Sequence, residues 1–301
     1  MKYATVTVTY NRKEELAKNL QAVLSQTIQP DCCYVIDNHS TDGTEEYLNK
    51  VGLLPNQRIN YVYLPKNMGG AGGFYYGSKL AHKRGYDYII LMDDDGRPRN
   101  NQTFEIMLEH AERVHERKRL IFLNSLVTNE DDKLSFGLGT YADVSQVRRG
   151  VPSGTLPNLV NPFNGTLISK ELFDCIGYPN KDFFIKGDEH DFMCRAMKAK
   201  AYVATTTNAL YLHPSLPKYT VRILGKKQDL IVESAWKEYY RTRNYTYIYS
   251  RDHAKKQLRN MIKMHFLGNL LFGKTKIKTF RMMIKGYLDG RSGKMGIRVL
   301  P

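Results

Sequence analysis

The sequence predicts an α/β fold, with a mostly parallel sheet flanked by helices and a helical, basic C-terminal region. In the first half of the chain, short runs that favour strands alternate with longer segments of helical periodicity. Residues 88–92 form a continuous apolar run, as expected for a strand buried on both faces of a parallel sheet. Apolar residues make up 42% and charged residues 25% of the 301 residues, which favours a packed core over disorder.

The elements follow one another in a regular order. Residues 4–9 alternate Ala or Val with Thr, which predicts the first strand. Leu16, Leu20 and Val23 then recur at helical spacing and predict the first helix. The same criteria place further strands at 32–36, 59–64 and 88–92, and further helices at 41–49 and 73–84.

Each of the four predicted strands ends in a polar cluster. These clusters lie at residues 10–12, 37–38, 66–67 and 93–95. Ligands of open α/β sheets bind beyond the carboxyl ends of the strands. One such cluster also fits the ordinary start of a loop. Four of them predict a binding site along one edge of the sheet.

The cluster at the end of the fourth strand contains the carboxylates Asp93, Asp94 and Asp95. Adjacent like charges require a counter-charge or raised pKa values. Magnesium and manganese bind oxygen ligands and leave positions for phosphate oxygens, so the triplet indicates a divalent metal. A solvated acidic turn remains the alternative.

A glycine-rich loop at residues 67–74 follows the third strand and precedes a helix. Glycines allow the backbone to approach a ligand closely, and helix N-termini attract phosphate. The spacing matches neither the dinucleotide-binding fingerprint nor the P-loop. The loop therefore predicts a phosphate-bearing ligand of another class.

Together these segments resemble inverting family 2 glycosyltransferases with the GT-A fold. The resemblance rests on TVTYNR (7–12), VIDNHSTDGT (35–44) and LMDDD (91–95). The loop NMGGAGGF (67–74) is similar to the subgroup of galactofuranosyl- and rhamnosyltransferases of bacterial polysaccharide assembly. The resemblance covers residues 3–215 and implies a nucleotide-sugar donor, with UDP-galactofuranose the best candidate and rhamnose or another hexose the alternative. It also implies a manganese or magnesium cofactor and a glycan or lipid-linked glycan acceptor.

The resemblance further assigns residues to the donor and the metal. Asp37 would accept a hydrogen bond from the base, Asn67 would approach the diphosphate, and Asp94 would lie near the ribose or donor sugar. Asp93, Asp95 and His213 would hold the metal, although a lone His is more often structural. The complete set implied for the nucleotide or donor is Thr9, Asn11, Arg12, Asp37, Asn67, Gly69, Gly70 and Asp94.

A second acidic cluster contains Asp188, Glu189 and Asp191. Acids at a helix start favour the helix dipole, which accounts for Asp188 and Asp191 without any catalytic role. The family places its general base at the position of Glu189, and the choice between Asp188 and Glu189 stays open. On the acceptor side the resemblance implies Asn164, Asp191 and Arg243.

The net charge of +15 is concentrated at the C-terminus. Residues 251–301 carry thirteen Lys and Arg against two Asp, and residues 255–288 mix basic with apolar residues. This mixture predicts basic amphipathic helices that bind an anionic membrane surface or, alternatively, pack on the catalytic domain. A nucleic-acid-binding protein is the rival class. We expect no nucleic-acid partner, since the acidic edge would repel phosphate unless metal were bound.

The expected organisation is a catalytic domain at residues 1–215 and a basic region at residues 216–301. We find no signal peptide, no run of about 18 apolar residues, and no disulfide or zinc spacing among the four Cys. The expected location is therefore the cytoplasm, peripheral to the inner face of a bacterial membrane. The oligomeric state stays open.

Overall fold

The computed structural model describes residues 1–215, 219–223 and 226–300. The chain forms two compact units. The first contains Met1–Pro179 and Phe192–Ser215, and the second contains Asn180–Asp191 and Leu216–Pro301. The sequence places the division at residue 215, and in the structure residues 180–191 group with the second unit.

The first unit is an α/β domain. Its helices are α1 (Lys13–Leu24), α2 (Thr44–Lys50), α3 (Gly69–Lys83), α4 (Thr103–His115), α5 (Val144–Gly150), α6 (Lys170–Ile176) and α7 (Asp188–Lys198), the last beginning within the second unit. Its strands are β1 (Tyr3–Thr9), β2 (Cys32–Asp37), β3 (Ile59–Tyr63), β4 (Tyr88–Asp93), β5 (Arg97–Pro98), β6 (Ile121–Thr128), β7 (Lys133–Leu138), β8 (Tyr141–Asp143), β9 (Thr155–Pro157), β10 (Asn164–Ser169) and β11 (Tyr202–Leu212).

The main sheet has the strand order β3-β2-β1-β4-β10-β6-β11-β5. Strands β3, β2, β1 and β4 are parallel, whereas β10 runs antiparallel to both of its neighbours. The register places Thr9 beside Asp37 on β2 and Val8 beside Asp93 on β4. The polar ends of these strands therefore meet at one edge, which confirms the mostly parallel α/β sheet predicted from the sequence.

Both faces of the sheet are buried. On one face, Val35 packs with Leu16 of α1 and Phe104 of α4. On the other face, Ile36 packs with Phe74 of α3. Successive residues of a strand point to opposite faces, so Val35 and Ile36 enter different cores. Residues 89–92 of β4 are completely buried, as the continuous apolar run predicted.

Helix α3 begins at Gly69, four residues before the predicted start. Its glycines are required by packing: a Cβ on Gly73 would lie 2.5 Å from Cγ1 of Val8, and a Cβ on Gly77 would overlap Val6. The helix therefore lies directly against β1. Gly70 differs, because a Cβ there would have no neighbour within 4 Å. Within the glycine-rich loop, the close helix–strand contact therefore involves Gly73.

The second unit contains a β-hairpin and three long helices. The hairpin was not expected from the sequence and pairs β12 (Tyr219–Ile223) with β13 (Lys226–Leu230). The helices are α8 (Ala235–Arg251), α9 (Lys255–Phe272) and α10 (Lys276–Arg291). Helix α10 crosses α8 closely, since a Cβ on Gly286 would lie 2.5 Å from the carbonyl oxygen of Tyr239. None of the helices in the described part of the chain is long and apolar enough to span a membrane.

Candidate active site and metal centre

Two carboxylates and one imidazole meet at the edge of the sheet. Asp93 is the last residue of β4, Asp95 follows in the next turn, and His213 comes directly after β11. One potential ligand atom from each lies within 4.8 Å of the other two. All three are partly accessible to solvent. The predicted metal ligands are therefore close enough to share one cation.

The His213 ring is held in one orientation. Its Nδ1 lies 2.7 Å from the carbonyl oxygen of Pro214, which can only accept, so Nδ1 carries a proton. The ring also packs on Phe136, with 4.9 Å between ring centroids. Nε2 then points to Oδ1 of Asp95, 3.1 Å away. A hydrogen bond that fixes the remote ring nitrogen is typical of a metal-binding histidine, so these residues fit a divalent cation.

The charges in the cluster are coupled. Burial alone would raise the pKa of Asp95, but the His213 imidazole and the Arg12 guanidinium lower it to about 2. Burial alone would lower the pKa of the His213 imidazole, but the neighbouring Asp95 carboxylate raises it above its ordinary value. Asp95 is therefore held as the carboxylate, the form in which an acid binds metal.

Asp94 faces into the protein. It is 5% exposed and accepts a hydrogen bond of 2.8 Å from Oγ1 of Thr9. Arg12 donates to Asp94 at 3.3 Å and also pairs with Asp95. Burial raises the pKa of Asp94 to about 6, against the opposing effects of Arg12 and Thr9. Thr9, Arg12 and Asp94 thus join the ends of β1 and β4, and the expected contacts of these three residues with the donor stay predictions.

Asp37 is also enclosed, with no exposed surface. Its Oδ1 accepts a 2.7 Å hydrogen bond from the amide of Ser40, and its Oδ2 accepts from the hydroxyl of Tyr61. Asn11 joins the same turn, because its Oδ1 accepts from the amide of Thr41 at 2.7 Å. Asp37 and Asn11 therefore shape the turn after β2. Their predicted contacts with the nucleotide stay predictions.

Asn67 organises the start of α3. Its Oδ1 accepts hydrogen bonds from Nδ2 of Asn38 at 3.1 Å and from the amide of Gly69 at 2.8 Å. Asn38 in turn accepts from the amide of Met68 at 2.8 Å. Gly69 has a φ of +72°, a conformation that side chains disfavour. Gly70 lies beside open space and is partly accessible to solvent, whereas Gly69 is buried.

The second acidic cluster lies in the second unit, at the start of α7. Asp188 is 5% exposed, and Asp191 is 2% exposed and accepts a 2.5 Å hydrogen bond from Arg251. Glu189 is half-buried and accepts from the amide of Gly187 at 2.9 Å. Of the three, Glu189 is the most accessible, which favours it over Asp188 as the base. Asp191 forms an ion pair with Arg251, and its expected place on the acceptor side stays a prediction.

Arg243 was expected on the acceptor side, and its contacts leave that role a prediction. Its side chain is completely buried, donating to the carbonyl oxygens of Gly296 at 2.6 Å and Phe183 at 2.9 Å. The neighbouring Asn244 donates to the carbonyl oxygens of residues 183, 185 and 186. Both side chains are buried. Both hold the segment before Glu189 against α8, which explains why residues 180–191 belong with the second unit.

Asn164 begins β10 and is 8% exposed. Its Nδ2 donates to the carbonyl oxygen of Pro162 at 3.1 Å. Its Oδ1 is buried without a hydrogen-bond partner among the described residues. The expected role of Asn164 on the acceptor side is not tested by these contacts and stays a prediction.

Two tyrosines at the edge were not identified from the sequence. Tyr61 holds Asp37, and the fully buried Tyr211 lies beneath the turn that carries Asp95. A Cβ on Gly96 would lie 2.5 Å from Cε1 of Tyr211, so the turn rests directly on that ring. Each tyrosine lies within a strand, where aromatic residues are common. Only the pairing of the strands in the folded sheet shows that these two tyrosines lie at the site. Asn38, by contrast, belongs to the polar cluster at the end of the second predicted strand.

Comparison with known proteins identifies the family of this arrangement. The model described as Glycosyl transferase family 2 matches residues 5–133. Galactofuranosyltransferase GlfT1 of Mycolicibacterium smegmatis is 32% identical over 265 residues, covering 84% of each chain. The dTDP-rhamnosyl transferase RfbF of Shigella flexneri is 23% identical over 313 residues, covering 98% of this chain and 96% of that protein.

Solved structures share the fold at low sequence identity. The structure of GalNAc-T7 with UDP, GalNAc and Mn²⁺ superposes with a TM-score of 0.59 at 15% identity. The match covers 83% of this chain and 48% of the GalNAc-T7 chain. This chain thus spans about half of that protein. The mannosyltransferase PcManGT from Pyrobaculum calidifontis, in complex with GDP-Man and Mn²⁺, has a TM-score of 0.58 at 12% identity, covering 97% of this chain and 88% of that one. These similarities confirm the GT-A fold.

Proposed function

Because this chain belongs to glycosyltransferase family 2, and is therefore a nucleotide-sugar-dependent glycosyltransferase, we propose that it transfers galactofuranose from UDP-galactofuranose to a growing cell-surface polysaccharide. The observation that carries the proposal is the meeting of Asp93, Asp95 and His213 at the strand ends where α/β sheets bind ligands. The 32% identity to a galactofuranosyltransferase over most of both chains supports the choice of sugar.

Asp93, Asp95 and His213 would hold manganese or magnesium. When bound, such a cation stabilises the negative charge that develops on the departing nucleoside diphosphate. The side chains at the site favour cation binding, because Asp95 is ionised and the Nδ1–H of His213 donates to the carbonyl oxygen of Pro214. Arg12 adds a half-exposed positive charge beside the carboxylates.

Glu189 would act as the general base in a direct displacement. The acceptor hydroxyl loses its proton to the Glu189 carboxylate while its oxygen forms a bond to the anomeric carbon. The bond from that carbon to the diphosphate oxygen breaks, and UDP leaves with the electron pair. Attack from the opposite side inverts the anomeric configuration. Glu189 is suited to this role because it is more accessible than Asp188 or Asp191.

The second unit would attach the enzyme to the inner face of the cell membrane, where a lipid-linked acceptor would be presented. Support comes from large apolar side chains exposed on basic helices, including Leu271 at 50% and Ile284 at 62%. Basic amphipathic helices bind anionic lipid surfaces in this way.

A donor panel tests the proposed activity. The purified full chain is incubated with manganese and with UDP-galactofuranose, dTDP-rhamnose, UDP-galactopyranose or UDP-glucose, and the nucleoside diphosphate released is measured. We expect UDP-galactofuranose to be consumed fastest. Faster consumption of dTDP-rhamnose would identify rhamnose as the transferred sugar and would favour the activity for which the RfbF relative is named. Consumption of none of the four would contradict the proposed sugar class.

A further inference from the structure

The second unit contains a cavity among α8, α9 and α10 whose lining includes none of the residues assigned to the donor, the metal or the base. Its volume is about 870 Å³. The lining includes four basic side chains, Lys255, Arg259, Lys263 and Arg291, and it contains no Asp or Glu. Within the described residues, none of these four has an ion-pair partner. A concentration of positive charge without compensation indicates an anionic ligand.

The rest of the lining is largely apolar. Leu258, Ile262 and Phe266 recur every four residues on α9, so they form one stripe along the helix. Phe266 stacks on Phe280 of α10, with 4.6 Å between ring centroids, and is still 45% exposed. Beyond Phe266, the exposed Leu270 and Leu271 extend the apolar surface toward the end of α9. A small inorganic anion would leave this apolar stripe without a partner.

The combination of basic side chains with an apolar stripe fits one class of ligand. Arg259 and Lys263 lie one turn apart on α9 and are exposed, so their charged ends can converge on a single anion. The apolar stripe lies on the same helix and in the same cavity. A phosphate group suits the charges, whereas a hydrocarbon chain suits the stripe. Nucleic acid would supply phosphate but would leave the aliphatic part of the stripe without a partner.

We propose that this cavity binds the phosphate headgroup of a membrane lipid, with the start of its hydrocarbon chain along Leu258, Ile262 and Phe266. The proposal rests on the membrane attachment proposed above and deepens it by naming the binding site and the ligand. It does not depend on the sugar or the metal, because none of the lining residues belongs to the donor site.

Binding of a soluble short-chain lipid isolates the cavity from general adsorption to a surface. Calorimetric titration of the full chain uses dihexanoyl phosphatidic acid below its micellar concentration, with dihexanoyl phosphatidylcholine and inorganic phosphate as separate probes. We expect the phosphatidic acid to bind at least tenfold more tightly than either. Equal binding of inorganic phosphate would overturn the lipid part of the proposal, and equal binding of phosphatidylcholine would overturn the phosphate part.

A matched pair of double variants tests the location. Arg259→Gln with Lys263→Gln removes two charges from the cavity, whereas Lys276→Gln with Lys278→Gln removes two exposed charges of α10 that do not line it. One basic contact with an anionic lipid contributes about fivefold in affinity, so the first pair should weaken binding about 25-fold and the second less than twofold. Equal losses would show a diffuse charge effect and overturn the site.

Two further measurements separate this proposal from its rivals. A DNA 20-mer that displaces the phosphatidic acid would overturn the lipid assignment. Metal-dependent consumption of the sugar donor by the Arg259→Gln, Lys263→Gln variant should stay within about twofold of the unchanged chain, because neither residue belongs to the proposed donor site. Lost lipid binding with retained donor consumption supports the cavity, whereas lipid binding without donor consumption would count only against the proposed transfer.

Discussion

The Nε2 of His213 lies 3.1 Å from Oδ1 of Asp95, although strands β5 to β11 separate the two residues in the chain. The sheet brings them together. Strand β11 pairs with β5 in the register Leu212 to Arg97, which places the end of β11 beside the turn that follows β4. The imidazole and the acidic triplet thereby form one cluster.

The enclosed position of Asp94 predicts unequal effects within the acidic triplet. Asp95→Asn should weaken Mn²⁺ binding about tenfold or more, because it removes charge from a ligand. Asp94→Asn should bind Mn²⁺ nearly as well, since Asp94 contacts Thr9 and Arg12 instead. Titration with Mn²⁺ followed by electron paramagnetic resonance measures both variants. The assignment of ligands would be wrong if Asp94→Asn lost more affinity than Asp95→Asn.

Replacing the proposed base should separate turnover from donor binding. Glu189→Gln keeps the shape and the hydrogen bond from the Gly187 amide but cannot accept the acceptor proton. General-base catalysis contributes about 10² to 10⁴ in rate, so kcat should fall by that factor. Calorimetric titration with UDP should give an unchanged Kd. Asp188→Asn is the comparison: if it is inactive while Glu189→Gln turns over normally, the base lies one residue earlier.

The glycines of α3 predict opposite outcomes for two similar substitutions. Gly73→Ala forces a methyl group against Val8 and should destabilise the protein by about 1–3 kcal/mol, as overpacking does. Gly70→Ala meets no neighbour and should be neutral or stabilising by up to about 1 kcal/mol, because alanine favours helices. Denaturant unfolding measures both. A loss of activity in Gly70→Ala at full stability would indicate that the donor approaches there.

The ion pairs of Glu233 predict a specific loss of stability in acid. Burial alone would raise the pKa of Glu233, but Arg241 and Lys186 lower it to about 2, from an ordinary value of 4.5. These partners lie 2.5 and 2.9 Å away. A lowered folded-state pKa stabilises the fold above the ordinary value, and this contribution is lost as pH falls from about 4.5 toward 2.

Glu233→Gln should therefore have a lower Tm at pH 7 and a smaller further decrease between pH 5 and pH 3 than the unchanged chain. Glu130→Gln is the control. The Glu130 side chain, which pairs with Arg97, is 71% exposed, and such an exposed ion pair contributes little to stability. Parallel curves of Tm against pH for Glu233→Gln and the unchanged chain would show that the ion pairs do not couple to folding.

Local patterns in the sequence predicted the parts of the fold that depend on short stretches of chain. The buried run of β4 and the polar ends of β1 to β4 were identified because periodicity and composition decide them. The same polar ends indicated Asp93 and Asp95. The hairpin β12–β13 was missed because the sequence of β13, KKQDL, lacks the apolar alternation that reveals a strand, although Tyr219, Val221 and Ile223 of β12 do alternate with polar residues.

Other features depend on contacts between distant segments. The roles of Gly73 and Arg243 follow from what lies against them, Val8 in one case and the carbonyl oxygen of Phe183 in the other. No spacing in the sequence reveals these partners. The expected role of Arg243 on the acceptor side came from the resemblance to the family, whereas its buried contacts could not be inferred from its place in the sequence.

Removal and return of the metal tests the central claim most directly. The full chain is freed of divalent cations by chelation, supplied with UDP-galactofuranose, and assayed for UDP release before and after addition of excess Mn²⁺, with His213→Gln treated in the same way. The site at Asp93, Asp95 and His213 predicts that chelation abolishes release, that Mn²⁺ restores it, and that the variant needs at least about tenfold more Mn²⁺. Full release from the chelated protein would contradict a metal-dependent transfer at this site.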